Sequence, residues 1–255
     1  MMKQRPLVIA VMPARAGSKG IPGKNSVMLG GRPILHYTLD EIAASRHVTH
    51  TVAITNDERF RVQAIAAGVT VIQEPEELAG DDVPIGLAIQ FAVETCERQW
   101  GLRFDAVIQC EVTTPIRPPQ IIDRCLELLW KSGAEVATTV EAASIYPPQW
   151  VVRRDPDGRV HFVSPNPPLH RQDMEPLFHL GGALAAFRRD VVGVPNYLKC
   201  DCVAVEYTNG ECIYLDSPFD LLLAEFMLQH RWAMNESSGL ANKMKSESDC
   251  ATVER

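Results

Sequence analysis

The sequence predicts an α/β fold in which helices cover both faces of a mostly parallel β-sheet. Its 255 residues suit one α/β domain with a small inserted segment, and an apolar share of 46% is enough for a sizeable core. Short apolar runs alternate with segments of helical period along most of the chain. The first run, residues 7–12, is continuously apolar, which is typical of a parallel strand buried on both faces.

The elements before residue 143 follow the order expected of a Rossmann-like sheet. Residues 34–44 carry apolar side chains at helical spacing, and the helix predicted over 57–67 ends at Gly68, which suits a C-cap. The full set of predicted helices in this part is 34–44, 57–67, 84–98 and 119–132. The predicted strands are 7–12, 50–55, 69–72, 106–110 and 136–140.

A proline-rich segment over 143–180 interrupts this alternation. Two short strands joined by the turn Asp155-Pro156-Asp157-Gly158 predict a small inserted β-hairpin. The hairpin strands are predicted over 150–153 and 160–163, later strands over 182–187, 202–206 and 212–215, and a last helix over 218–234. Residues 235–255 are polar and without periodicity, which predicts a disordered tail after a single domain over 1–234.

Composition excludes several classes of function. The formal net charge of -7 disfavours a nucleic-acid-binding surface, so we expect no nucleic-acid partner. No apolar run approaches the length needed to span a bilayer, so we expect no membrane partner. The seven cysteines are odd in number and form no C-x-x-C pair, which disfavours a zinc site or a disulfide framework and favours a reducing, cytoplasmic location.

The loop after the first strand carries the clearest chemical signal. In open α/β sheets ligands bind outside the carboxyl ends of the strands, and residues 13–25 follow the first strand directly. This loop contains three glycines and the cations Arg15, Lys19 and Lys24. Backbone N–H groups together with Arg and Lys suit a triphosphate and stabilise charge that develops during transfer. The loop is not a Walker A motif, because Ile21 follows Gly20; the alternative interpretation is a flexible basic surface turn.

The stretch P-A-R-A-G-S-K-G-I-P-G-K-N over 13–25 resembles the N-terminal signature of the acylneuraminate cytidylyltransferase family, the CMP-sialic acid synthetases and their relatives. The resemblance extends to about residue 234. Its further segments are G-G-R-P-I at 30–34, T-N-D-E at 55–58, E-L-A-G-D-D at 77–82, T-T-P-I-R at 113–117, H-R-Q-D at 170–173 and L-D-S-P-F-D at 215–220.

The resemblance implies a reaction and a set of nucleotide-binding residues. The anomeric hydroxyl of a nonulosonic, sialic-acid-like 2-keto sugar acid would attack the α-phosphorus of CTP and release pyrophosphate. CTP and a sugar acid are thus the implied small-molecule partners, with Mg²⁺ as the implied cofactor. The implied catalytic cations are Arg15 and Lys24. The implied nucleotide-binding residues are Ala14, Arg15, Gly17, Ser18, Lys19, Lys24, Asn25, Asn56 and Thr113.

The metal and acceptor positions also come from the resemblance. Asp216 matches the family's metal-binding aspartate, although it precedes Ser217-Pro218 and would also suit a helix N-cap. Relatives form homodimers through the insertion, so a homodimer is implied. The implied substrate-binding residues are Glu111, Thr114, Arg117, Arg171, Gln172 and His179. For Arg117 a structural role in a capped turn is an equal alternative, and Arg171 would otherwise be a solvated surface residue.

Several positions depart from the family pattern on the acceptor side. The chain has Glu74-Pro75 where relatives often have Arg-Pro, and Glu111 where they often have Gln. Gly181 replaces an Asn, and Tyr214 replaces the first aspartate of a D-x-D pair. We expect Glu111 to face the acceptor pocket or to supply a carboxylate to the metal; the alternative interpretation is a surface glutamate at a strand end. Alternative functions are transfer from another NTP to a sugar phosphate, or nucleotide binding with weak catalysis.

Overall fold

The computed structural model describes residues 5–17, 20–143, 147–208 and 210–230. Its centre is a seven-stranded sheet of order β11-β7-β10-β6-β1-β4-β5, in which β10 runs antiparallel to both neighbours and every other pair is parallel. The predicted mostly parallel sheet is therefore confirmed. The strands are β1 (Val8–Pro13), β2 (Met28–Leu29), β3 (Arg32–Pro33), β4 (His50–Thr55), β5 (Thr70–Gln73), β6 (Ala106–Cys110), β7 (Val136–Ala142), β8 (Val152–Arg154), β9 (Val160–Phe162), β10 (Phe178–Arg188) and β11 (Cys202–Tyr207).

Helices cover both faces of this sheet, as predicted. α3 packs on one face through Ala88, Ile89, Ala92 and Val93, beside side chains of β1 and β4 that point the same way. The remaining helices contribute to the core on the opposite face. The helices are α1 (Leu35–Ala44), α2 (Glu58–Ala66), α3 (Ile85–Trp100), α4 (Ile121–Ser132) and α5 (residues 218–230).

Helix ends are set by local capping chemistry. The Asp57 side chain accepts hydrogen bonds from the backbone N–H groups of Arg59 and Phe60, which makes it the N-cap of α2. α4 begins two residues later than predicted, because Gln120 has a positive φ of 57° and cannot belong to the helix. Gly101 and Gly133 end α3 and α4 in the left-handed conformation.

The predicted strand over 212–215 is wrong. Ile213 forms only an isolated antiparallel bridge with Ile116, and its N–H donates to the Ile116 carbonyl. The Leu215 N–H donates to the carbonyl of Thr113, so this segment bonds to a loop instead of to a neighbouring strand. The pairing nevertheless fixes the residues after 215 next to the loop that follows β6.

The predicted hairpin insertion is present as β8 and β9, which pair antiparallel. Its apolar side chains are largely solvent-exposed, including Val160 and Phe162. The predicted tail over 235–255 lies outside the described residues, and so do the last residues of the helix predicted over 218–234. In the described ranges no helix combines the length and the apolar character needed to cross a membrane.

Candidate active site

The loop after β1 is anchored to the end of the neighbouring strand β4. The Ala14 N–H donates to the carbonyl of Ile54 at 3.0 Å, and the buried Thr55 hydroxyl donates to the carbonyl of Ala14. β1, β4 and β6 are adjacent and parallel, so their carboxyl ends meet at one edge of the sheet. The loop therefore leaves the sheet at the edge where ligands of such folds bind.

Two asparagines hold the loop in shape. The side-chain oxygen of Asn56 accepts the Ala16 N–H at 2.8 Å, and the side-chain amide of buried Asn25 donates to the Arg15 carbonyl at 2.9 Å. Gly17 has a φ of +88°, which a residue with a side chain rarely adopts. Asn25 and Asn56, predicted as nucleotide contacts, therefore position the loop. Ser18 and Lys19 lie outside the described residues.

Lys24 meets the predicted metal ligand Asp216. Its Nζ lies 2.9 Å from Asp216 Oδ1, and the side chains are 26% and 77% exposed. Gly20 packs against the backbone of Asp216 so closely that any Cβ would overlap the Asp216 carbonyl oxygen. The structure thus joins residues from the two ends of the sequence, and Gly20 is the contact that sequence reasoning missed. Its signal in the sequence was the presence of a third glycine in the loop.

Asp216 is not the cap of α5. The Asp220 carboxylate accepts hydrogen bonds from the N–H groups of Asp216 (3.1 Å) and Ser217 (2.7 Å), and also from the Ser217 hydroxyl (2.8 Å). This arrangement resembles a capping box, with Ser217 as N-cap and Asp220 three residues on. Burial raises the pKa of Asp220, but these Ser217 and backbone donors lower it further than burial raises it. The Asp216 carboxylate is consequently not needed to cap α5, and the partner that it has is Lys24.

Arg15 lies on the other flank of the loop. Its guanidinium donates to the carbonyls of Gly80 (2.5 Å) and Val83 (3.4 Å), in the segment that leads into α3. The two predicted catalytic cations therefore occupy opposite flanks, with Lys24 at Asp216 and Arg15 beside the end of β5. Both lie close enough to Glu111 to lower its pKa.

Glu111 follows β6 and is held by two neighbours. Its carboxylate accepts a hydrogen bond from the Gln109 side chain (2.5 Å), and its carbonyl accepts one from Arg117. Burial raises the pKa of Glu111, while the Gln109 hydrogen bond and the cations Arg117, Lys24 and Arg15 lower it. Arg117 is 4% exposed and also donates to the Thr38 hydroxyl at 3.1 Å. The structure therefore places Arg117 inside the protein, where it supports the Glu111 backbone.

The two threonines after Glu111 differ in surroundings. Thr113 accepts the Leu215 N–H through its carbonyl, at 2.9 Å, which ties this loop to the Asp216 segment. Thr114 is fully buried, and within the described ranges its hydroxyl has no hydrogen-bond partner. A direct contact of either hydroxyl with a ligand remains a prediction.

Two tyrosines occupy the region where the acceptor-side sequence departs from relatives. A Cβ on Gly181 would lie 2.6 Å from the Tyr207 ring, and one on Gly182 would lie 3.5 Å from Tyr214. Tyr207, Cys212 and Ala183 form one buried cluster, and the partly buried Tyr214 packs against it. Burial raises the pKa of both tyrosines, which keeps them neutral at physiological pH. The missing side chain at 181 thus leaves room for Tyr207, while Tyr214 packs against Gly182, contacts that the separate sequence positions do not reveal.

The remaining predicted acceptor residues are exposed. Arg171 and Gln172 lie in a short 3₁₀ turn, and His179 lies on β10 opposite Glu141. In the part of the chain that the structure describes, no hydrogen bond or ion pair links these three side chains to the loop after β1. Their contact with substrate stays a prediction.

The predicted Mg²⁺ has one well-placed carboxylate in this arrangement. Within the described residues, no three His, Cys, Asp or Glu side chains are grouped so that they could hold a metal by themselves. Mg²⁺ commonly takes one or two carboxylates together with substrate phosphates and water. The exposed carboxylate of Asp216 beside the basic loop fits that mode.

Comparison with known proteins settles the family. A family model described as cytidylyltransferase matches residues 9–184, which is more than half of the chain. The chain belongs to the cytidylyltransferase family. The predicted resemblance and the class of enzyme, a CTP-dependent nucleotidyltransferase, are therefore confirmed.

Individual relatives of this cytidylyltransferase include sugar-acid enzymes. A CMP-N,N'-diacetyllegionaminic acid synthase of Legionella pneumophila is 28% identical over 87% of this chain and 96% of its own length. An N-acylneuraminate cytidylyltransferase of Streptococcus agalactiae is 24% identical over a region that covers 69% of this chain and 42% of that protein. A solved CMP:2-keto-3-deoxy-manno-octonic acid synthetase complexed with CTP has a TM-score of 0.65 at 20% identity, covering 88% of this chain and 99% of its own, and supports the fold.

Proposed function

We propose that this cytidylyltransferase transfers CMP from CTP to the anomeric hydroxyl of a nonulosonic, sialic-acid-like 2-keto sugar acid and releases pyrophosphate. The observation that carries the proposal is the contact of Lys24 with Asp216 beside a glycine-rich loop at the carboxyl edge of the sheet. The named activity of the Legionella relative, which matches almost end to end, supports a sugar acid of this class as the acceptor.

The chemistry asks the protein to position two anions and to neutralise charge. The acceptor oxygen forms a bond to the α-phosphorus, the bond to the bridging oxygen breaks, and the hydroxyl proton is lost to solvent. Lys24, now paired with Asp216, would turn to the phosphates. Asp216 would then hold Mg²⁺, which supplies further neutralisation of the phosphate oxygens. The backbone N–H groups of the loop and Arg15 complete the positive surroundings of the triphosphate.

Glu111 and the residues beside it form the acceptor side of the proposed site. The Glu111 N–H approaches the carbonyl of Ala183 at 3.4 Å, so Glu111 lies beside Gly182 and Tyr214. Of the two roles expected for Glu111, facing the acceptor accords better with its hydrogen bond to Gln109 and with the burial that raises its pKa. The neutral hydroxyl of Tyr214 and the carboxyl group of Glu111 can both form hydrogen bonds with the hydroxyl groups of a sugar.

A homodimer is proposed as the functional form. Within 147–180 many large apolar side chains are exposed, a surface that a second copy of the chain would cover. They are Trp150, Val151, Val152, Val160, Phe162, Val163, Leu169, Leu177, Phe178 and Leu180. The same segment carries Arg171 and Gln172, whose proposed contact with acceptor would be made in the assembled dimer.

Pyrophosphate release measures the proposed activity. Wild-type protein, Mg²⁺ and CTP are incubated with a panel of 2-keto sugar acids, and we expect release only when an acceptor is present. Lys24→Ala should lower kcat/KM by about 100- to 1,000-fold, because the cation that faces the phosphates is lost. Lys131→Ala, an exposed change on α4, serves as the matched control.

Three outcomes would contradict the proposal. Release with another NTP and a sugar phosphate would assign a different donor and acceptor. Binding of CTP without release from any acceptor would indicate a nucleotide-binding relative, which the replacement of an aspartate by Tyr214 makes worth testing. Equal turnover by wild type and Lys24→Ala would remove the phosphate site from the loop.

A further inference from the structure

Glu74 is a buried carboxylate at the edge of the proposed nucleotide site. It follows β5 directly, and its N–H donates to the carbonyl of Thr55 at 3.0 Å, at the end of β4. The residue is 3% exposed. It therefore lies at the same sheet edge as the loop after β1, on the side away from Asp216 and not on the acceptor side predicted from the sequence.

One oxygen of this carboxylate lacks a donor. Among the described residues, Glu74 Oε2 is buried and has no hydrogen-bond partner. Arg15 is near enough to lower the pKa of Glu74 against the burial that raises it, but its guanidinium donates to Gly80 and Val83. A buried acceptor without a donor is costly to the folded state. Such a group is retained more readily where a ligand supplies the missing donor.

The strand order indicates which part of the nucleotide would reach Glu74. Counting across the sheet, β10 and β6 carry the acceptor side, β1 carries the phosphate loop, and β4 and β5 lie beyond it. The α-phosphorus must face the acceptor for the proposed transfer to occur. With the triphosphate on the loop after β1 and the acceptor on the side of β6 and β10, the side left for the nucleoside half of CTP is that of β4 and β5, where Glu74 is buried.

We propose that Glu74 accepts a hydrogen bond from the 4-amino group of cytosine and thereby selects CTP over UTP. The inference rests on the proposed function, because it needs the triphosphate on the loop after β1. Uracil has a carbonyl oxygen in place of the amino group, so two acceptors would face each other in a buried setting. A site built around such a hydrogen bond rejects the analogue that lacks the donor. Burial raises the pKa of Glu74 on balance, and Arg15 opposes that shift and so favours the ionised form, which can only accept a hydrogen bond.

Titration of nucleotides tests this assignment without requiring turnover. The ligands are CTP, UTP, a CTP analogue with hydrogen in place of the 4-amino group, and inorganic triphosphate, each with Mg²⁺. The wild type should bind CTP at least about tenfold more tightly than UTP or the analogue. Glu74→Gln should reduce the preference over UTP by about tenfold or more, because an amide can turn its NH₂ toward the uracil oxygen. Glu77→Gln, an exposed neighbour, is the matched control and should change nothing.

The series of ligands distinguishes two roles of Glu74, recognition of the cytosine base and orientation of Arg15. If Glu74 only oriented Arg15, Glu74→Gln would weaken CTP, UTP and inorganic triphosphate by the same factor, and the proposal would be overturned. If the wild type bound CTP and the analogue with hydrogen in place of the 4-amino group equally well, the proposal would be overturned as well, without reference to any variant. Should Glu74→Gln fail to fold, Glu74→Asp keeps the acceptor and should keep the preference for CTP at lower affinity.

Failure of this inference differs from failure of the proposed function. A wild type that binds none of the nucleotides contradicts the proposed function itself. A wild type that releases pyrophosphate from CTP but shows no dependence of base preference on Glu74 contradicts only the assignment of Glu74.

Discussion

Gly20 lies where the loop after β1 passes the backbone of Asp216, and no larger residue fits there. The contact places Asp216 within reach of Lys24, although 192 positions separate the two residues in sequence. The glycine is therefore needed for close approach, whereas Gly17 and Gly23 are needed for their positive φ. At the scale of single residues, the geometry of the proposed metal position depends on one missing methyl group.

Gly20→Ala is expected to displace the loop from Asp216 and to lower CTP affinity by about tenfold or more, in line with the cost of overpacking. Isothermal titration with CTP and Mg²⁺ measures the effect. Gly31→Ala is the matched control, because Gly31 has a φ of +81° but a Cβ added there would meet nothing within 4 Å. The control should lose some stability and retain CTP affinity; equal affinity in both variants would contradict the role given to Gly20.

The joint between α1 and α4 depends on a single buried carboxylate. Asp123 of α4 accepts hydrogen bonds from the Ser45 hydroxyl (2.5 Å), and from the N–H (3.1 Å) and Nε (3.0 Å) of Arg46. Burial raises the pKa of Asp123, but these donors lower it by more, so the net shift is downward. Asp123 thus stabilises the folded state where it is ionised, above its unfolded pKa of about 3.9.

Asp123→Asn should lower the free energy of unfolding by about 1–3 kcal/mol at pH 7, because charge-assisted hydrogen bonds are lost. Since the folded pKa lies below the unfolded one, this contribution disappears as pH falls through the folded pKa. Urea unfolding at pH 7 and at pH 3 should therefore show a difference between the proteins that shrinks with acid. Asp40→Asn, at an exposed ion pair with Arg32, is the control and should change little at either pH.

At the scale of elements, the helices and strands that could be predicted from the sequence are those whose bounds follow from periodicity and apolar runs. β4 and β6 have the predicted bounds, because each is a mainly apolar or β-branched run ended by a loop. The start of α4 depends on the backbone conformation of Gln120, which no pattern reveals. The prediction of a strand at Ile213 failed for a similar reason, because its partner Ile116 belongs to a loop and not to a strand.

In the candidate site, too, the residues of the loop could be predicted from the sequence, whereas their contacts could not. Arg15 and Lys24 were predicted because they share a short loop with glycines. Their different partners, Gly80 on one flank and Asp216 on the other, depend on where distant segments fold. The packing of Tyr207 against Gly181 likewise follows from the tertiary structure.

At the scale of the whole molecule, the insertion exposes apolar side chains to solvent. We propose that a second copy of the chain covers them. Val160→Glu combined with Phe162→Glu should convert the dimer to a monomer, because two buried charges would face the partner. Light scattering after size exclusion measures the mass. Val62→Glu, on α2 and 55% exposed, is the matched control and should leave the dimer intact. A wild type that elutes as a monomer at micromolar concentration would contradict the proposal.

β10 belongs to the insertion and to the central sheet at once. Its first residues pair with the end of β7 beside the exposed hairpin, and its last residues run antiparallel between β6 and β7 in the core. The register shifts between Gly181 and Ala185, so the strand bends beside Glu111 and Tyr214. One continuous strand therefore joins the proposed dimer surface of the insertion to the proposed acceptor side, so a displacement of its outer half would be transmitted to the backbone beside Glu111.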